Sequence, residues 1–79
     1  MLHSLESAGE TLGADLRALR KARGLTLSEL ATALGRSVGW LSQVERDLSQ
    51  PSISDLRQLA ATLEVSVSML FGQAHAASH

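Results

Sequence analysis

Residues 26–46, TLSELATALGRSVGWLSQVER, carry enough local signals to define two short helices and the turn between them. Thr26 followed three residues later by Glu29 makes a capping box. In such a box the hydroxyl accepts a free N–H and the carboxylate reaches back to the cap amide. Leu27, Leu30, Ala31 and Leu34 then recur at helical spacing and mark one buried stripe. Gly35 ends that helix where a residue at positive φ is wanted. Ser37 caps a second helix that runs to about Arg46.

The second helix has two unlike faces. Val38, Trp40, Leu41 and Val44 are its apolar residues. Gly39, Ser42, Gln43 and Arg46 fall at i, i+3, i+4 and i+7 and form a small, polar stripe. A face that meets only water more often carries Lys and Glu. Small residues let a helix approach another surface closely, and Gln and Arg each make two parallel hydrogen bonds to a base edge. This is the pattern of a helix-turn-helix, one helix for support and one to enter the major groove.

The pattern continues on both sides. LRALRKARGLTLSELATALG, SVGWLSQVER and QPSISDLRQLAATLEVSVSMLF follow one another across residues 12–71. In order and spacing this stretch resembles the Cro/C1-type (XRE-like) helix-turn-helix family of DNA-binding repressors. The resemblance implies an all-α, lambda-repressor-like fold, a compact bundle of five short helices spanning residues 9–72. It implies sequence-specific binding of double-stranded DNA as a transcriptional regulator, a repressor by preference, with the recognition helix at 37–46. It also implies a homodimer on a near-palindromic site. The subtype resembles regulators that carry a small effector-binding domain, often a cupin barrel, after the DNA-binding domain, and these residues do not include one. Arg20 and Glu45 stand where the family pairs an Arg late in the first helix with a Glu near the end of the recognition helix. Asp47 stands where the family usually has Gly. Asp tolerates the left-handed conformation, so the turn is kept, but its charge is expected near the DNA side.

Roles for the exposed residues follow. Gln43 is expected to touch a base directly, best by a bidentate bond to adenine. Val38 is placed to meet a thymine methyl, and Gly39 to allow close approach. Thr26, Ser28, Arg36, Ser42 and Arg46 are expected on phosphates, where they set position. Ser37 and the positive N-termini of the two helices add to these. Trp40 has two readings, core rim alone or core rim with its indole N–H on a phosphate.

The flanking segments read as supports. A first helix over residues 10–23 presents Leu12, Leu16 and Leu19 to the core, with Gly13 permitting a close helix approach and Gly24 closing it. Ser7 with Glu10 is a candidate cap pair, against a frayed arm over residues 1–8. Ser52 with Asp55 opens a fourth helix whose core residues are Ile53, Leu56, Leu59, Ala60 and Leu63. Ser66 caps a fifth over residues 67–71, ended by Gly72, with Val65, Val67, Leu70 and Phe71 closing the core. Residues 73–79 read as a tail, in which His75 and His79 have metal-ligand spacing but no acidic neighbour.

Composition narrows the alternatives. The 79 residues make one domain, and an apolar fraction of 44%, mostly Leu, Ala and Val, supplies a dense aliphatic core. There is no Cys, hence no disulfide and no thiolate metal site. No apolar run approaches the ~20 residues of a membrane span, and no signal peptide is evident, so the cytoplasm is expected. No cofactor, metal or active site is expected. The net charge of −1 is low for a nucleic-acid binder. Glu6, Glu10, Asp55 and Glu64 are expected to lie outside the reading unit, which leaves the basic residues near it. An antitoxin-like protein, or another protein-interaction module on the same fold, is the alternative reading.

Overall fold

The computed structural model describes residues 11–70. They contain α1 (Leu12–Ala22), α2 (Leu27–Leu34), α3 (Val38–Glu45) and α4 (Ile53–Leu63), and residues 67–70 are helical and belong to α5. No strand occurs among the described residues. The expected all-α bundle is the fold observed. The arm, the tail, the Ser7–Glu10 cap, Phe71, Gly72 and the three histidines lie outside the described residues.

Each helix from α1 to α4 begins at a hydroxyl. Thr11, Thr26, Ser37 and Ser52 accept from the amides of Ala14, Glu29, Trp40 and Asp55 at 3.0–3.1 Å. Such a cap is worth about 1 kcal/mol, because it satisfies an amide the helix cannot. The Thr26–Glu29 and Ser52–Asp55 boxes are both complete. The first helix opens at Leu12, two residues later than residue 10, after an extended Thr11 whose hydroxyl serves as its cap.

The C-termini also share one geometry. Gly24, Gly35, Asp47 and Glu64 all sit at φ between 61° and 70°. At each, the left-handed residue and its successor donate back to carbonyls of the last turn: Gly35 to Thr32 and Arg36 to Ala31, for instance, or Asp47 to Val44 and Leu48 to Gln43. This double bond pattern satisfies carbonyls that would otherwise be orphaned.

The capped helices bury one aliphatic cluster. It contains Leu12 and Leu16 of α1, Leu30, Ala31 and Leu34 of α2, Leu41 and Val44 of α3, the Leu56, Leu59, Ala60 and Leu63 stripe of α4, and Leu70. Each fully buried leucine contributes roughly 1.5–3 kcal/mol. α3 is held between α1 and α2, and α4 packs on α2. Two expected core residues are exposed, Ile53 at 55% and Val67 at 37%. Each is the first residue of its helix, in register with the core stripe but at an end that no neighbour among the described residues covers. No helix among the described residues is long and apolar enough to cross a membrane.

Candidate nucleic-acid interface

The position of α3 is set from behind at two places. The first is Gly13. A Cβ built there would stand 2.5 Å from the Glu45 carbonyl oxygen and 2.6 Å from that of Val44, so the backbone of α1 touches the end of α3 and only glycine fits. The second is an ion pair. Arg20 Nε donates to Glu45 Oε2 at 2.7 Å, Nη2 donates to Oε1 at 3.1 Å, and Nη1 donates to the Leu25 carbonyl at 2.9 Å. Both residues are 8% exposed. The bidentate fork fixes direction as well as distance, and the expected Arg20–Glu45 pair is present.

With its inner side fixed, α3 turns the other side outward. Val38, Gly39, Gln43 and Arg46 are exposed there, and Ser42 is half-buried at the edge. Val38 is 43% exposed, although it is apolar. A Cβ on Gly39 would meet nothing within 4 Å. Glycine inside a helix costs up to about 1 kcal/mol against alanine, and no internal contact requires it here. Thr26 and Ser28 are exposed at the start of α2. The hydroxyls of Thr26 and Ser37 accept cap bonds but keep their own protons to donate. Trp40 packs against the core at its rim.

Arg36 is not a solitary cation. Its Nη1 donates to Asp55 Oδ1 at 2.7 Å, and its guanidinium lies 3.8 Å from the Trp40 ring centroid. This corrects the expectation that Asp55 lies outside the reading unit. The other oxygen of that carboxylate holds the Ser52 amide in the α4 capping box, so one side chain joins the turn before α3 to the start of α4. Burial pushes the Asp55 carboxyl up, but hydrogen bonds from the Ser52 amide and hydroxyl and the Arg36 guanidinium outweigh it and hold the pKa below its ordinary 3.8. Glu64 likewise pairs with Arg23 at 3.1 Å, on an exposed surface.

Asp47 also differs from expectation. Its backbone is left-handed at φ 61° as foreseen. Its carboxylate, however, accepts the Gly13 amide at 2.9 Å, at the positive end of α1. The Asp47 charge thus also completes the α1 cap. The partner is 34 residues away in sequence, and no local pattern signals it. Arg17 is a residue that sequence reasoning missed: with Arg20, Leu27, Ser42, Glu45 and Arg46 it lines a cleft between α1 and α3, beside the exposed stripe.

Known proteins share this arrangement. A family model described as a helix-turn-helix domain matches residues 11–70. The HTH-type transcriptional regulator SinR of Bacillus subtilis is 40% identical over 65 residues, which cover 81% of this chain and 59% of SinR. The immunity repressor protein of Bacillus phage phi105 is 38% identical over 63 residues, covering 80% of this chain and 44% of the repressor. The crystal structure of SinR in complex with DNA superposes with a TM-score of 0.72 at 40% identity, covering 77% of this chain and 98% of that one. The chain spans about half the length of these curated relatives. With a capped α2, a left-handed turn at Gly35 and an α3 braced from behind, and with the family model matching all of the described residues, the chain belongs to the helix-turn-helix domain family.

Proposed function

We propose that this chain binds double-stranded DNA sequence-specifically and is the DNA-reading domain of a transcriptional regulator, acting chiefly in repression. The observation that carries the reading is the contrast across α3: a buried Arg20–Glu45 fork on one side, and on the other an exposed Val38, Gly39, Gln43 and Arg46 around a glycine that no internal contact requires. α3 lies in the major groove. Gln43 bonds a base edge, Val38 meets a thymine methyl, and Gly39 lets the helix approach. Thr26, Ser28, Ser37, Ser42 and Arg46 hold phosphates and set position. Arg36 and Trp40 stack at the start of α3, where a phosphate competes with Asp55 for the guanidinium.

The relatives support the role, since SinR is a transcriptional regulator with a structure in complex with DNA and the phage protein is an immunity repressor. A reading helix of this length spans only a few base pairs, so two copies act on a near-palindrome with half-sites ~34 Å apart. The proposed work is binding rather than catalysis, and the proposed location is the cytoplasm. Selection of the purified chain on a pool of random duplexes, with affinity followed against salt, tests the reading. An enriched palindrome with a negative salt slope is the expected result. Absence of binding to any duplex at low salt would overturn it.

A further inference from the structure

We infer that the cleft between α1 and α3 seats one phosphate of the DNA backbone, with Arg17 of α1 as a contact from outside the helix-turn-helix. The inference rests on the proposed placement of α3 in the major groove and adds a site to it.

The chain has 7 basic residues and a net charge of −1, so the disposition of each cation matters. Arg20, Arg23 and Arg36 are each bound to a carboxylate. Arg17, Lys21, Arg46 and Arg57 make no ion pair among the described residues. Two of these four, Arg17 and Arg46, open onto the same cleft. Both are exposed at its rim. The floor is the Arg20–Glu45 fork, whose charges answer each other, so the Glu45 carboxylate is already occupied by Arg20 and does not face an incoming anion alone. The half-buried Ser42 hydroxyl adds a donor to the wall. Leu27, the first residue of α2, brings the positive end of that helix to the same place.

The chemistry fits a phosphodiester oxygen better than a carboxylate side chain of another protein. Arginine presents a planar fork to phosphate, and the cleft borders Ser42 and Arg46, which share the outward stripe with Gln43. With α3 inserted in the groove, a cation one helix removed from its axis meets the strand that borders the groove. Phosphate contacts of this kind fix orientation without reading sequence.

The test uses the full chain, a duplex enriched by selection and a scrambled duplex of equal length, with affinity measured by fluorescence anisotropy over a range of salt. Loss of one phosphate contact flattens the slope of log affinity against log salt by about 0.9. Arg17→Ala removes that contact from each bound copy, and is therefore expected to flatten the slope by about 0.9 per copy, ~1.8 for two copies on a palindrome, and to weaken both duplexes by the same factor. Arg17→Lys keeps most of the slope, and Arg57→Ala on α4 leaves it unchanged. Thermal melting of each variant, followed by circular dichroism, confirms that the exposed substitutions leave the fold intact. A slope for Arg17→Ala equal to that of the unaltered chain, while Arg46→Ala flattens it, would remove Arg17 from the interface and overturn the inference. Weakening of the selected duplex alone at constant slope would also overturn it. Failure of the unaltered chain to bind either duplex is a different result, and sinks the DNA-reading proposal itself.

Discussion

Two helical glycines, one in α1 and one in α3, have opposite surroundings. Gly13 lies where α1 meets the end of α3, and any side chain there would strike the Val44 and Glu45 carbonyls. Gly39 lies on the outer side of α3, and a side chain there would reach nothing within 4 Å. Both carry the same helix penalty relative to alanine. The internal packing of α1 on α3 accounts for the first. Among the described residues nothing accounts for the second, which fits the proposed close approach of α3 to DNA. The contrast separates the side of α3 that serves the fold from the side proposed to serve binding.

The strongest way to break this division is to attack the inner side. Glu45→Ala leaves the Arg20 guanidinium buried with one remaining acceptor, and should lower stability in chemical denaturation by ~3–5 kcal/mol. A loss under 1 kcal/mol would mean that the pair does not brace α3. Gly13→Ala comes next, at about 1–3 kcal/mol from overpacking against backbone that has little room to retreat. On the outer side the effects move from stability to affinity. Gln43→Ala should cost ~1–3 kcal/mol of binding on the selected duplex, little on random DNA, and leave the melting temperature unchanged. Equal losses on both duplexes would make Gln43 a backbone contact. Gly39→Ala should raise stability by up to ~1 kcal/mol while weakening DNA binding, a pair of signs that the Gly13 variant cannot show.

The smallest expected effect concerns Asp55 and is one of pH. Its folded pKa lies below the unfolded value, so its contribution is present above the ordinary 3.8 and disappears as the pH falls through the folded value. Asp15, in the first turn of α1, has the opposite sign: burial raises its pKa, so its contribution is present below the ordinary value of 3.8 and disappears as the pH rises through the folded value. The stability difference between the unaltered chain and Asp55→Asn should therefore shrink on acidification. A difference that stays constant from neutral pH to pH well below that ordinary value would place the Arg36–Asp55 contact outside the energetics of the fold.

Much of the interface was legible because its determinants are local. The Thr26–Glu29 box, the Ser37 cap and the left-handed Gly35 involve residues within a few positions of one another, and the outward stripe of α3 follows from helical periodicity alone. The Arg20–Glu45 pair was reached through family resemblance rather than through spacing. Asp47 and Asp55 each make a contact that the sequence did not show, for a single reason. Each carries out one local task visible in sequence, a left-handed turn for Asp47 and a capping box for Asp55. Each then uses an oxygen on a distant partner, the Gly13 amide or the Arg36 guanidinium. A carboxylate has several acceptor sites, and sequence accounts only for those met by neighbours. Arg17 went unnoticed, because nothing local shows that it shares a cleft with Ser42 and Arg46.

What this sequence determined by itself was where its helices begin, where they end and which face of each is apolar. Hydrogen bonds between near neighbours and a repeat of 3.6 residues settle those questions without reference to the rest of the chain. Only the tertiary structure decided which charges cancel, that Ile53 stays uncovered at the start of α4, and that the arginines of α1 part company, Arg20 beneath α3 and Arg17 beside it. These outcomes depend on the distance and angle at which helices cross. At the α1–α3 crossing that distance rests on a missing Cβ at Gly13, a steric fact that exists only once both backbones are in place.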